Sequence, residues 1–148
     1  MNGPSKLCTF TVGDLTFGVD VGEVQEVIRF QRLTPVPLAD HALRGLINLR
    51  GHVVPAIDLR RKLHLSDRQD HLPINIVIRT DDGLVSLLVD EILDVVEVDP
   101  DNYEPHPETV CGPVWQLIDS IYKLPERLLL VLDIERAVSV NWAERESA

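Results

Sequence analysis

The stretch Gly45–Leu63, GLINLRGHVVPAIDLRRKL, fits two strands, a tight turn and a helix start into nineteen residues. Apolar runs at Leu46-Ile47 and Val53-Val54 flank an Arg50-Gly51 step. Gly51 has the freedom to take a positive φ, which a tight turn between strands calls for. Arg50 is then held at the loop tip. After Pro55, Asp58 stands ahead of the basic segment Leu59–Leu63, where its carboxylate can accept the first unpaired helical N–H groups. Arg50 has two readings on physics alone. Its five fixed donors suit a carboxylate or carbonyl on a partner. They suit equally an acid elsewhere in the chain, as an internal lock.

Strand signals dominate on either side. In Cys8–Val12 apolar and polar residues alternate, Gly13-Asp14 is a turn pair, and Leu15, Phe17 and Val19 alternate with Thr16, Gly18 and Asp20. That pattern predicts a hairpin with one buried face. Ile74, Ile76 and Ile78 repeat it, with Asp81-Asp82-Gly83 as the next turn. Leu84–Val89, Val95–Val98, Leu117–Tyr122 and Leu128–Leu132 are further strand candidates. Helix signals are short: Asp58 caps Leu59–Leu63, and Asp133 caps Ile134–Val138. The Pro-rich piece Pro100–Pro113 reads as a loop, and Glu144–Ala148 as a frayed end. Short strands at this spacing predict a mostly β chain built of small barrels or a sandwich.

The chain also matches itself. Val19–Ile28 aligns with Leu87–Val96, and Val53–Leu63 aligns with Leu128–Val138, in the same order. Ile57-Asp58-Leu59 falls on Leu132-Asp133-Ile134. Two related β-lobes follow, with a boundary expected near Ser66–Leu72, giving residues 1–70 and 71–148. A terminal strand crossing to the other lobe is compatible with the same pattern.

Composition limits the function classes. The 148 residues are 45% hydrophobic and only 5% aromatic, enough for an aliphatic core without disulfides. A net charge of −10 disfavours nucleic acid and anionic membrane surfaces, which are bound by neutralising phosphates. The charge is uneven: Asp81–Glu108 holds ten acids and no Lys or Arg, whereas Arg44–Arg68 holds six basic residues against Asp58 and Asp67. Such asymmetry suits oriented docking on proteins. Cys8 and Cys111 read as buried, reduced thiols. The start MNGPSKL has no secretory signal, and no apolar run reaches the length of a membrane span, so a cytoplasmic location is expected.

Enzyme signatures are absent from the sequence. It has no nucleophile elbow, no Gly-rich phosphate loop and no H-E-x-x-H. His41, His52, His64, His71 and His106 lack the spacing of a zinc site and read as surface or loop residues. No cofactor or metal site is expected. Asp58 and Asp133 could be imagined as an acid–base pair, but their matching places before short helices favour caps. Glu23 and Glu26 read as a solvated corner or as an acidic contact for a partner, and composition favours the solvated corner. A small β-barrel ligand-binding domain or hydrolase using Asp58, Asp133 or the His residues remains the alternative from another class.

Ile47-Asn48-Leu49-Arg50-Gly51, a spacer, then Val54-Pro55-Ala56-Ile57-Asp58-Leu59-Arg60 resembles the hallmark of the CheW family, scaffolding proteins of bacterial chemosensory arrays. Val24-Gln25-Glu26-Val27 resembles the family's V-x-E-V corner. Leu87–Glu91 and Leu128–Glu135 resemble its later strand ends, so the likeness runs from about Lys6 to Val138. It implies two five-stranded SH3-like barrels side by side and no catalysis. It further implies coupling of transmembrane chemoreceptors, through their helical tip, to the regulatory domain of the histidine kinase CheA. Contacts with other CheW-like domains in array rings, and a monomer when isolated, follow from it too. Carried over by motif, Val24, Glu26 and Arg50 would be contact or coupling residues, with Gly45 and Gly51 shaping their loops. The same fold could serve a non-flagellar chemosensory-type pathway. Ser86, Asp119-Ser120 and Pro125-Glu126 depart from the family pattern in the second lobe. When the repeat is overlaid, Leu49-Arg50-Gly51 falls on Leu124-Pro125-Glu126. The fold therefore does not demand Arg-Gly, and the functional reading of Arg50 gains.

Overall fold

The computed structural model describes residues 6–104 and 112–140. Alternating side chains make Lys6–Val12 (β1) and Leu15–Asp20 (β2) an antiparallel hairpin that turns at Gly13, φ +61°. A single 3₁₀ turn, Val21–Glu23, leads to Val24–Ile28 (β3). Leu43–Leu49 (β4), His52–Asp58 (β5) and Leu59–Lys62 (α1) realise the unit expected from Gly45–Leu63. Ile74–Thr80 (β6), Gly83–Val89 (β7) and Glu91–Glu97 (β8) follow. The chain then forms Tyr103–Glu104 (β9), Pro113–Gln116 (α2), Ile118–Lys123 (β10), Leu128–Leu132 (β11) and Ile134–Ala137 (α3).

The strands form two sheets, in the orders β8-β1-β2-β11-β10-β9 and β3-β6-β7-β5-β4. The orders correspond strand for strand once β9 is set aside. Its place in the other sheet is taken by Thr34, which exchanges backbone hydrogen bonds of 2.9 and 2.8 Å with Leu46 on β4. The parallel pairs match as well, β5 with β7 and β11 with β2. The internal repeat is thus a structural duplication.

The division expected near Ser66–Leu72 is not where the sheets separate. A central lobe comprises β3 to β7, and a split lobe joins β1 and β2 to β8 through β11. Both crossings are short. β2 ends in the split lobe and β3 begins in the central one, while β7 ends in the central lobe and β8 begins in the split one. The aligned segments Val19–Ile28 and Leu87–Val96 are these two crossings, a reciprocal exchange of edge strands. Each edge strand pairs antiparallel with the other lobe's hairpin, β3 with β6 and β8 with β1. Aliphatic alternation states that a strand has one buried face but not which hairpin it joins.

One large apolar cluster draws on both lobes. Phe10, Val12, Phe17 and Val19 pack with Ile57, Leu59, Ile76, Ile78 and Leu87. Smaller clusters belong to the central lobe alone (Ile47, Val54, Val77, Leu88) and to the split lobe alone (Leu7, Tyr122, Leu129, Val131). The aliphatic expectation is modified at the centre, where Phe10 and Phe17 stack with ring centroids 5.9 Å apart.

The second crossing carries a buried charge. Asp90 has a side chain 3% exposed and accepts from Arg60 Nε at 2.9 Å, with Arg68 at 3.5 Å. It also accepts the Gly13 backbone N–H at 2.7 Å, so one carboxylate ties the split lobe's hairpin turn to the central lobe's helix.

The helix caps are as expected. Asp58 Oδ1 accepts from the Arg60 and Arg61 amides at 2.9 and 3.3 Å, and Asp133 Oδ1 from the Arg136 amide at 3.2 Å. The Pro-rich piece is not wholly loop: a 3₁₀ turn at Pro100–Asn102 and β9 lie within it, and α2 begins on its last residue, Pro113. Pro at the first position of a helical turn loses no hydrogen bond, which is why both turns begin on one. Residues 105–111, including His106 and Cys111, lie outside the described residues, as do Met1–Ser5 and the expected frayed end. Cys8 is buried, and burial pushes its thiol pKa up. Ser86, the departure from Gly, is accommodated: its Oγ donates to Asn75 Oδ1 at 2.6 Å, and Asn75 Nδ2 donates to the Arg29 carbonyl at 3.1 Å.

Gly45 is fixed by close approach. A Cβ there would lie 2.6 Å from the Thr34 carbonyl oxygen, so the closing bridge to β4 would have to move. Gly45→Ala is expected to destabilise by about 1–3 kcal/mol in urea unfolding. Gly51 has open space around it. Gly51→Ala should cost only the left-handed backbone penalty, about 1 kcal/mol. Equal losses at the two sites would refute this distinction.

Candidate functional site

The hairpin of β4 and β5 turns on two residues, Arg50 at φ +53° and Gly51 at φ +86°. Successive left-handed residues match the twist of the flanking strands. The Gly51 amide donates to Asn48 Oδ1 at 2.9 Å, which holds the turn. Arg50 is an unfavourable residue in that conformation, because its Cβ crowds the following carbonyl.

Its side chain reaches β3. Arg50 Nη1 donates to Glu26 Oε2 and Nη2 to Glu26 Oε1, both at 2.6 Å, a parallel two-bond pair. β3 and β4 are the two edges of the central sheet, so this pair joins one edge to the turn at the end of the other. Arg50 remains 68% exposed while Glu26 is 20% exposed, so the guanidinium caps the carboxylate and keeps a face in solvent. The hydrogen bond from Arg50, followed by its charge, holds the Glu26 carboxyl below its usual range. The favourable interaction is therefore complete above the ordinary Glu pKa. It is lost only as pH falls through the lowered folded value. Arg50 is raised in turn, chiefly by its hydrogen bond to Glu26.

Of the five residues carried by the motifs, the structure brings Glu26, Arg50 and Gly51 together. Gly45 sits at the β4 bulge against Thr34, farther along the same hairpin. Val24 is half-buried and packs toward the shared core rather than outward. The apolar side chains that do face solvent here are Val27 on β3 and Val53 on β5. Sequence reasoning passed over both. Each belongs to an adjacent apolar pair, Val27-Ile28 and Val53-Val54, and a strand can turn only one member of such a pair inward. Their counterparts in the split lobe, Val95 and Leu128, are exposed as well.

The split lobe makes the corresponding turn with Pro125-Glu126. The Leu124 amide donates to the Arg127 carbonyl at 2.8 Å, and neither central residue is left-handed. The same hairpin therefore closes without Arg-Gly. His41, His52, His64 and His71 are all exposed. Among the described residues no three His, Cys, Asp or Glu side chains are set to hold a metal ion, and no helix is long and apolar enough to cross a membrane. What this end of the molecule offers is an exposed charged clasp on a hairpin whose Val53 also faces solvent.

Comparison with known proteins agrees. The CheW-like domain family matches residues 6–141. The chain is 35% identical over 130 residues to the chemotaxis protein CheW of Bacillus subtilis, covering 86% of this chain and 83% of that protein. It is 30% identical over 131 residues to CheW of Klebsiella aerogenes, with 88% and 79% coverage. The crystal structure of the scaffolding protein TtCheW from Thermoanaerobacter tengcongensis shares the fold, with a TM-score of 0.79 at 24% identity over 88% of this chain and 90% of that one. With the match spanning nearly its whole length, the chain belongs to the CheW-like domain family and is a non-enzymatic scaffold protein of chemotaxis signalling.

Proposed function

We propose that this protein couples transmembrane chemoreceptors to the histidine kinase CheA, through CheA's regulatory domain and the receptors' cytoplasmic tip. It acts in the cytoplasm, recruited to membrane-associated arrays, and is a monomer when isolated that also meets other CheW-like domains in array rings. The observation that carries this reading is the Glu26–Arg50 clasp. It sits exposed at the end of the central lobe, in a turn whose split-lobe counterpart closes without it. A residue kept in an unfavourable conformation where the fold has an alternative points to use by a partner. Gly51 shapes the turn that carries Arg50, while Val24 and Gly45 serve the site from farther off, in the shared core and at the Thr34 bridge.

Co-sedimentation with receptor-containing membranes and CheA tests the role. Arg50→Ala should keep the fold, leave the melting temperature within a few degrees and lower kinase activation about tenfold or more. Arg50→Asn, which tolerates the left-handed turn, should behave alike. Normal activation by both variants would make Arg50 structural. Failure of the folded protein to join the complex would remove the coupling role itself.

A further inference from the structure

The turn that carries Arg50 is held by a side chain as well as by its strands. Asn48 pairs with Val53 and Leu49 with His52, so Arg50-Gly51 is a two-residue loop. Both loop residues are left-handed, at φ +53° and +86°. Such loops favour Asn-Gly, because Asn tolerates that conformation and most other side chains do not. Here the first loop position is Arg, and the Asn stands two residues earlier, near the end of β4.

The Gly51 N–H lies outside the strand ladder and is taken by Asn48 Oδ1 at 2.9 Å. That bond closes a ring around the backbone of Leu49 and Arg50. Leu49 is buried, so the ring is anchored at one end in the core and at the other by the side-chain amide. The torsions of Arg50 are thereby set from both sides, and with them the direction of its Cβ. From this position Nη1 and Nη2 reach the two carboxylate oxygens of Glu26, each at 2.6 Å. The Arg50 side chain is largely exposed, so packing does little to hold it there.

The duplicate turn in the split lobe is the comparison. Lys123 pairs with Leu128 across β10 and β11 as Asn48 pairs with Val53, so Lys123 occupies the position of Asn48. Its amine turns away to Glu104 on β9, 3.4 Å distant. The hairpin still closes, through the Leu124 amide on the Arg127 carbonyl at 2.8 Å, with no left-handed residue between them. Where the left-handed Arg is missing, the Asn is missing too.

We propose that Asn48 is a positioning residue for the clasp: its side-chain oxygen holds Arg50 in the left-handed turn from which the guanidinium meets Glu26. The hairpin does not need Asn48 to form; the clasp needs it to stay closed. The consequence for kinase activation rests on the coupling role proposed above, whereas the positioning itself does not.

The full chain and its Asn48→Ala and Asn48→Ser variants are compared by melting temperature, by carbon-13 NMR titration of the Glu26 carboxyl and by CheA activation with receptor membranes. Ala removes the accepting oxygen, and Ser keeps one within reach of the same amide. Asn48→Ala should leave the melting temperature within a few degrees. It should move the Glu26 midpoint up toward the ordinary Glu value, because the cation that lowers it is less often in place. Kinase activation should fall at least about threefold. Asn48→Ser should retain most of both. The positioning role is overturned if the Glu26 midpoint of Asn48→Ala stays at the wild-type value, or if Asn48→Ser moves it as far as Ala does. It is overturned equally by a melting temperature lowered more than about 10 °C in Asn48→Ala, which would make the residue a general support of the hairpin. A moved midpoint with unchanged activation upholds the positioning and removes instead the use of the clasp in coupling.

Discussion

Phe17→Ala should destabilise the protein by about 3–5 kcal/mol, read as a lowered urea midpoint in a single transition. Phe17 is fully buried, lies directly across from Phe10 in the β1–β2 hairpin and stacks on it. Both rings belong to the cluster that includes Ile57, Ile76 and Leu87 of the central lobe. Truncation removes ring contacts and leaves a void that the sheets cannot both collapse to fill. Because the void opens on both lobes, probes in each should report the same midpoint: amide exchange at Leu129 for the split lobe and at Val77 for the central one. Separate midpoints would show that the lobes are independent and that the shared cluster does not bind them.

Asp90→Ala is the second large effect, expected at about 3 kcal/mol. Removing the carboxylate leaves Arg60 with only the Ser66 carbonyl and no counter-charge, and the Gly13 amide without its acceptor. A charge left unpaired in a largely dry site is worse than no charge, so Asp90→Ala combined with Arg60→Leu should recover part of the loss. Asp90→Asn, which keeps an oxygen for the Gly13 amide, should fall between Ala and wild type. If the single Ala variant melts like the wild type, the carboxylate does not tie the lobes.

Much of the fold was legible because its signals are local. The β1–β2 hairpin, the strand–turn–strand–helix unit of Gly45–Leu63 and both caps rest on alternation, turn residues and a carboxylate before a helix. Strand exchange between lobes was legible only as a repeat, since pairing partners depend on surfaces far apart in sequence. β9 and α2 were hidden by prolines, whose presence argues against ladders but not against a first helical position. At the clasp, Glu26 and Arg50 were each visible, and the internal ion pair that was one reading of Arg50 is present, but the sequence did not name Glu26 as its acid. That contact depends on how far the central sheet curls, which no window of sequence encodes. Val24 shows the converse: a motif match placed it at the site, and the side chain faces the core.

The reciprocal exchange of edge strands also sets an order of assembly. As the chain emerges from the ribosome, all strands of the central lobe are present once Val89 has been made. The hairpin of β1 and β2 precedes its partners: β8 can pair with β1 only once Glu97 exists, and β11 with β2 only once Leu132 does. Until then Phe10 and Phe17 lack the split-lobe half of their surroundings. The nascent central lobe is the surface on which they can shelter, and late sheet partners of this kind slow folding and prolong exposure to aggregation. The fold's first hairpin is thus the part that its last strands complete.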